Sequence, residues 1–241
     1  MRDQVVTSCS VEGARLYGRR MVQTYVRRWP AATPLVVYLD APVEPRLPVE
    51  TRWTREVQEW VTCLERWAPH PSLHGRSTPA RPLNKPYKYQ FDVARFSVKP
   101  FVWRDAARRL GAGILTWLDA DTVTRHAIPS GFTASLLGEA DVAFLGRGAM
   151  HPETGYVGFR VPEALPLLDW CCEAYTTDRV LSLAGWTDCH VLRAALAAVP
   201  VQVRDLTAQR YDGHSHVWPV SPLAPYLTHL KGARKRQAAA V

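Results

Sequence analysis

Short apolar runs closed by small or acidic residues alternate along this chain with stretches whose apolar positions recur at helical spacing. Residues 4–10 read as a first strand ending in small polar side chains. A helix follows to about Trp29, with Ala14, Tyr17, Met21, Tyr25 and Trp29 on one face. Strand, small polar turn and helix in that order open a nucleotide-binding α/β unit. A second strand covers 35–40, and the next helix spans 52–67, where Trp53, Trp60 and Trp67 repeat at heptad spacing and read as core packing. Residues 70–86 form a long proline-rich loop of the kind that serves as a lid or binding loop. A helix then runs on to Leu110, with Pro100 predicting a kink or a restart because it removes a backbone donor. Buried strands are expected at 113–117 and 140–147, a glycine-aromatic strand at 152–160, and a helix opening at 185–190 and continuing through Ala197. Alternating strands and helices predict one α/β domain over 1–241, with 228–241 as a basic tail.

The strand at 113–117 is closed by Leu118-Asp119-Ala120-Asp121. In an open α/β sheet ligands collect at the carboxyl ends of strands. Two carboxylates aimed from such an end suit a hard divalent ion held by few protein oxygens, with phosphate completing the shell. A helix cap or a solvated turn is the competing reading of an isolated Asp-x-Asp. As a surface carboxylate at a strand end, Asp121 is expected to add little to stability. Far along the chain, Thr228-His229-Leu230-Lys231-Gly232-Ala233-Arg234-Lys235 supplies an imidazole, a backbone-exposing glycine and three cations. Imidazole suits Mn better than Mg, whereas Lys and Arg suit phosphate oxygens. The two segments together are able to enclose a metal diphosphate.

The 241 residues, 47% of them hydrophobic, are enough for a sizeable single core. No stretch approaches the roughly 18 unbroken apolar residues of a membrane span. The opening Met1-Arg2-Asp3-Gln4 lacks the features of a signal peptide, which predicts a cytoplasmic protein. Cys9, Cys63, Cys171, Cys172 and Cys189 show no metal-ligand spacing and read as reduced core residues. The net charge of +8 gathers at Arg15, Arg19, Arg20, Arg27 and Arg28 and in the tail. It admits nucleic acid or an anionic surface as a partner, or simply a nucleotide diphosphate. His214 and His216 find no further ligand nearby in sequence and read as a loop at the mouth of a site.

Asp119-x-Asp121 resembles the Asp-x-Asp motif of the metal-dependent glycosyltransferases of the GT-A fold. His229-x-x-Gly232-x-x-Lys235 resembles the His-x-x-Gly-x-x-Lys element of glycosyltransferase family 8, the glycogenin-like group. The resemblance implies a Rossmann-like fold with a mixed central sheet flanked by helices, and a nucleoside diphosphate sugar, a UDP-sugar, as donor. It implies that Asp119, Asp121 and His229 bind Mn or Mg, and that Lys231, Gly232 and Lys235 meet the donor diphosphate. Thr7 and Ser8, at the end of the first strand, become candidates for the nucleoside. The segment Asp92-Val93-Ala94-Arg95-Phe96-Ser97-Val98-Lys99 resembles one that precedes the metal motif in uncharacterised bacterial and phage GT-A-like proteins, which turns Arg95 and Lys99 toward the donor; a solvated helix face is the competing reading. On the acceptor side the resemblance implies Thr154, Gly155 and Tyr156, with Glu153 beside them as a catalytic candidate able to bond sugar hydroxyls. It sets Asp188 beneath the sugar, as general base in an inverting enzyme or as a stabiliser of oxocarbenium character in a retaining one; otherwise Asp188 is a helix N-cap. Phage enzymes of this kind glycosylate hydroxymethylated bases, so DNA is an admissible acceptor. Two further readings remain: a nucleotidyltransferase acting on a sugar phosphate, and a basic nucleic-acid-binding module. The oligomeric state is not legible.

Overall fold

A computed structural model describes residues 2–75, 87–208 and 216–230. Its centre is a seven-stranded mixed sheet in the order β3-β2-β1-β4-β7-β6-β8. The strands are β1 (Asp3–Cys9), β2 (Leu35–Leu39), β3 (Glu50–Trp53), β4 (Gly113–Leu118), β6 (Val142–Leu145), β7 (Glu153–Val161) and β8 (Val203–Asp205). The half formed by β3, β2, β1 and β4 is parallel, and β7 enters antiparallel beside β4. Every residue of β2 and β4 is buried. Strands covered on both faces need apolar side chains on both, so they appear in the sequence as unbroken apolar runs.

Helices cover each face. On one side lie α3 (Gln58–Trp67), α4 (Val93–Leu110), α6 (Leu165–Thr176) and α7 (Asp188–Ala198), packed over Val6, Val36, Leu115 and Trp117. On the other lie α2 (Arg19–Arg28) and α5 (Phe132–Leu137), over Val5, Val37 and Leu39. The helix after β1 starts as α1 (Val11–Gly13), capped by Ser10, whose hydroxyl accepts the Gly13 N–H at 3.0 Å. It widens into a π-helical turn over Ala14–Gly18 before α2. Ala14, Met21, Tyr25 and Trp29 all turn inward as the periodicity requires.

Two expectations need correction. The helix expected over 52–67 begins only at Gln58, because Arg52 and Trp53 pair with Tyr38 and Leu39 as edge strand β3. Strand pairing here outweighs the heptad spacing of the tryptophans. Of the kink or restart expected at Pro100, the restart does not occur: α4 runs from Val93 to Leu110 with Pro100 inside it. The proline is buried, and its carbonyl accepts the Cys172 thiol of α6 at 3.4 Å, so packing between α4 and α6 offsets the lost backbone bond. The five cysteines are unbridged. Among the described residues no helix is long and apolar enough to cross a membrane.

A short second sheet positions the site. It pairs β5 (Thr122–Thr124), directly after Asp121, with β9 (Leu227–His229) in antiparallel register, Thr122 opposite His229. On the α3, α4, α6 and α7 face of the large sheet, the core centres on Trp103 of α4, fully buried, with its ring centroid 6.0 Å from that of Trp117 and 5.5 Å from that of Phe159. Trp103→Ala should therefore lower stability by about 3–5 kcal/mol, read as a reduced urea midpoint at unchanged slope.

Candidate functional site

At the exit of β4 the backbone turns sharply: the Asp119 N–H donates to the Gly155 carbonyl at 2.9 Å, and the Thr122 N–H donates to the Asp119 carbonyl at 2.9 Å. This turn throws both aspartate side chains to the carboxyl end of the sheet. Strand β9 then brings His229 against them from the far end of the chain, held by the Leu230 N–H on the Asp121 carbonyl at 2.9 Å. His229 Nε2 lies 2.9 Å from Asp121 Oδ1 and 3.5 Å from Asp119 Oδ2. One ligand atom from each of the three residues falls within 4.8 Å of the others. A Cβ on Gly155 would stand 2.9 Å from His229 Cε1, so the glycine leaves the room the imidazole occupies.

Asp121 is 4% exposed, and so is not the surface carboxylate expected from a strand end. Burial by itself would push the His229 imidazole down, but hydrogen bonding and charge from Asp119 and Asp121 outweigh it and raise the pKa to about 9. Burial likewise opposes the charge on Asp119, yet Lys99 and His229 beside it hold its carboxyl well below the usual range. In the absence of a metal, the imidazole's proton thus supplies positive charge between the two carboxylates. Two carboxylates and one imidazole fit Mn or Mg, and binding would displace the His229 proton.

Lys99 links this cluster to Asp188. Its Nζ is 2.7 Å from Asp119 Oδ1 and 2.9 Å from Asp188 Oδ2. Burial works against the ammonium, but the two aspartates raise its pKa well above the ordinary value. The Thr154 hydroxyl also donates to Asp188 Oδ2, and Asp188, 1% exposed, lies beside the cleft without lining it. Asp188 is not the N-cap of α7; Thr187 occupies that position and the Asp188 side chain turns inward. The indole of Trp117 donates to Asp119 Oδ1 at 2.9 Å and also lies under the ammonium of Lys99, tying the site to the core.

A cleft of about 690 Å³ opens over the metal motif and reaches the ends of β1 and β2. Ser8, Arg95, Lys99, Asp119 and Asp121 line it together. Tyr17 and Trp60, read from sequence as core, also line it, because the π-helical turn and the α3–α4 seam bring them to its wall. Thr7 is buried in the sheet, and Tyr156, 1% exposed, packs in the apolar cluster on the α2 face; neither lines the cleft. Glu153 sits at the start of β7, 3.8 Å from Arg147 Nη1 and 3.8 Å from His216 Nε2. Sequence reasoning set His216 aside for want of a further ligand, yet the fold places Glu153 and His229 beside it. Lys231, Gly232 and Lys235 lie outside the described residues, as does most of the loop at 70–86.

The His229 pKa has a consequence for the metal-free chain. The imidazole keeps its proton to about pH 9 when folded but titrates near its ordinary 6.5 when unfolded. Its stabilising contribution is complete below pH 6.5 and is lost as pH rises through 9. In EDTA the urea midpoint should therefore fall over that interval, and His229→Gln should flatten the fall.

No family model and no curated protein matches this chain. Among solved structures it is similar to mouse xyloside xylosyltransferase 1 in the apo form, at 10% sequence identity and a TM-score of 0.50. The match covers 85% of this chain and 84% of that one. The mixed sheet with helices on both faces is accordingly that of a GT-A glycosyltransferase structure.

Proposed function

We propose that this chain is a metal-dependent glycosyltransferase that moves a sugar from a nucleoside diphosphate sugar, a UDP-sugar, to a hydroxyl group. The observation that carries this reading is the meeting of Asp119 and Asp121, which line the cleft, with His229, more than a hundred positions later, in a GT-A fold. Asp119, Asp121 and His229 would hold Mn or Mg, which when bound neutralises the departing diphosphate. Ser8, at the exit of β1, meets the nucleoside, and Arg95 lies along the donor side of the cleft. Lys99 is the positive charge between the donor phosphates and the sugar, since its ammonium spans Asp119 and Asp188. Lys231 and Lys235 follow His229 closely in sequence and add charge for the same diphosphate, with Gly232 allowing close backbone approach.

Asp188 is held by Lys99 and Thr154 through a single oxygen, so its other oxygen is oriented before substrate arrives. In an inverting reaction that oxygen takes the acceptor proton; in a retaining one it faces the developing oxocarbenium charge. Glu153, Thr154 and Gly155 form the start of β7 next to it and make up the acceptor side. The net charge of +8 supports DNA carrying hydroxymethylated bases as an acceptor to be tested.

Release of nucleoside diphosphate from a panel of nucleotide sugars, with Mn and with plain DNA, hydroxymethylated DNA and small glycans as acceptors, tests the reading. Asp121→Asn should lower turnover at least about 100-fold with near-UV circular dichroism preserved, and EDTA should do the same to the unaltered chain. Full turnover in EDTA would refute the mechanism. Asp188→Asn should lower kcat while leaving donor binding in place.

The acceptor is read from salt. Transfer to DNA should weaken steeply between 50 and about 200 mM salt as phosphate contacts release counterions, whereas transfer to a small glycan should stay flat. Charge reversal at Arg27, exposed on α2, should affect the DNA reaction more than donor hydrolysis.

A further inference from the structure

Next to the aspartate pair, and sharing His229 with it, lies a second group of metal-ligating side chains. Glu153 at the start of β7, His216 and His229 offer one ligand atom each, all within 4.8 Å of one another. The separation between His216 Nε2 and Glu153 Oε2 is 3.8 Å, and the rings of His216 and His229 have centroids 5.8 Å apart. His229 is 6% exposed, and its two nitrogens are used unequally. Nε2 faces the aspartates, whereas Nδ1 is buried without a hydrogen-bond partner among the described residues and lies toward Gly155, two positions from Glu153. Trp218 covers the imidazole with its ring centroid 4.8 Å away, which fixes the ring between the two groups. A buried imidazole nitrogen left without a partner carries a desolvation cost, and a ligand removes it.

The two groups differ in chemistry. Two carboxylates and an imidazole make a mixed, harder set, whereas two imidazoles and one carboxylate form a set that zinc occupies with a fourth position open. We propose that Glu153, His216 and His229 form a second cation site, selective for Zn, that shares His229 with the Asp119–Asp121 group. A neutral imidazole ligates one metal; ligating two at once requires loss of its second proton. Zn in the second site therefore withdraws His229 from the first, and the two cations compete. Arg147, whose Nη1 is 3.8 Å from Glu153 Oε2, supplies the positive charge that faces the glutamate when no cation is there. The site stands whether or not the chain transfers sugar.

Zn titration of the full chain against a chromophoric chelator tests it, with Mn occupancy followed by the electron paramagnetic resonance of free Mn. One Zn should bind. His216→Gln, at a partly exposed position, should weaken Zn binding by more than the roughly 10–100-fold that loss of an outer-shell partner costs, while leaving Mn binding in place. Asp121→Asn should do the reverse. One equivalent of Zn should expel Mn from the unaltered chain and not from the His216→Gln chain. Zn binding that survives His216→Gln and vanishes in Asp121→Asn would place the metal at the aspartates and overturn the proposal. Absence of Zn binding would overturn it as well, and simultaneous binding of one Zn and one Mn would overturn the sharing of His229. Mn-dependent release of nucleoside diphosphate by the His216→Gln chain reports separately on the glycosyltransferase reading.

Discussion

Three carboxylates are gathered at the carboxyl end of the central sheet, and two cations inside the protein make that tolerable. Asp119 and Asp121 come from the turn after β4 and Asp188 from α7, and each is shielded from bulk water to a large degree. A buried carboxylate costs several kcal/mol unless charge and hydrogen bonds compensate it. Lys99 compensates Asp119 and Asp188, and protonated His229 compensates Asp121 and Asp119. Removing either cation leaves like charges facing one another, so the fold around the site depends on these contacts as much as any chemistry does.

This arrangement also explains why distant elements end where they do. Helix α4 carries Lys99 across the sheet on a packed, Pro100-containing stretch, anchored at its start by Asp92, whose side chain accepts the Arg95 N–H. Strand β9 has only three residues, yet its pairing with β5 fixes His229 opposite Thr122, one position beyond Asp121. Trp117 belongs to both the core and the site: its ring packs on Trp103 while its indole N–H holds Asp119. That side chain ties Asp119 to the core, the kind of supporting contact that keeps a carboxylate's orientation fixed.

The His229 imidazole is the point where the two halves of the site meet. One nitrogen serves the aspartates, the other lies buried toward Gly155, and the Glu153–His216 pair stands close to the same ring. A ring in that position links whatever occupies one side to whatever occupies the other, because a single imidazole has one proton to give or keep.

What the sequence determined by itself was local. The glycine-bounded apolar run at 113–117 specified a buried strand with two carboxylates at its exit, and the periodicity after residue 10 specified a helix with Met21, Tyr25 and Trp29 inward. These features depend on neighbours within a few residues, which is the range over which hydrophobic period and turn chemistry act. The His229 motif was legible as residue types, and its meeting with Asp119 and Asp121 was expected through the resemblance to the glycogenin-like group. Tertiary structure decided the rest. Strand pairing turned Arg52 and Trp53 from helix into edge strand. Packing against α6 kept α4 continuous through Pro100. Inward rotation at the start of α7 made Asp188 a buried partner of Lys99 instead of a cap, and the turn into β5 buried Asp121. Each outcome depends on a partner tens of residues away, and no local pattern records which partner the folded chain supplies.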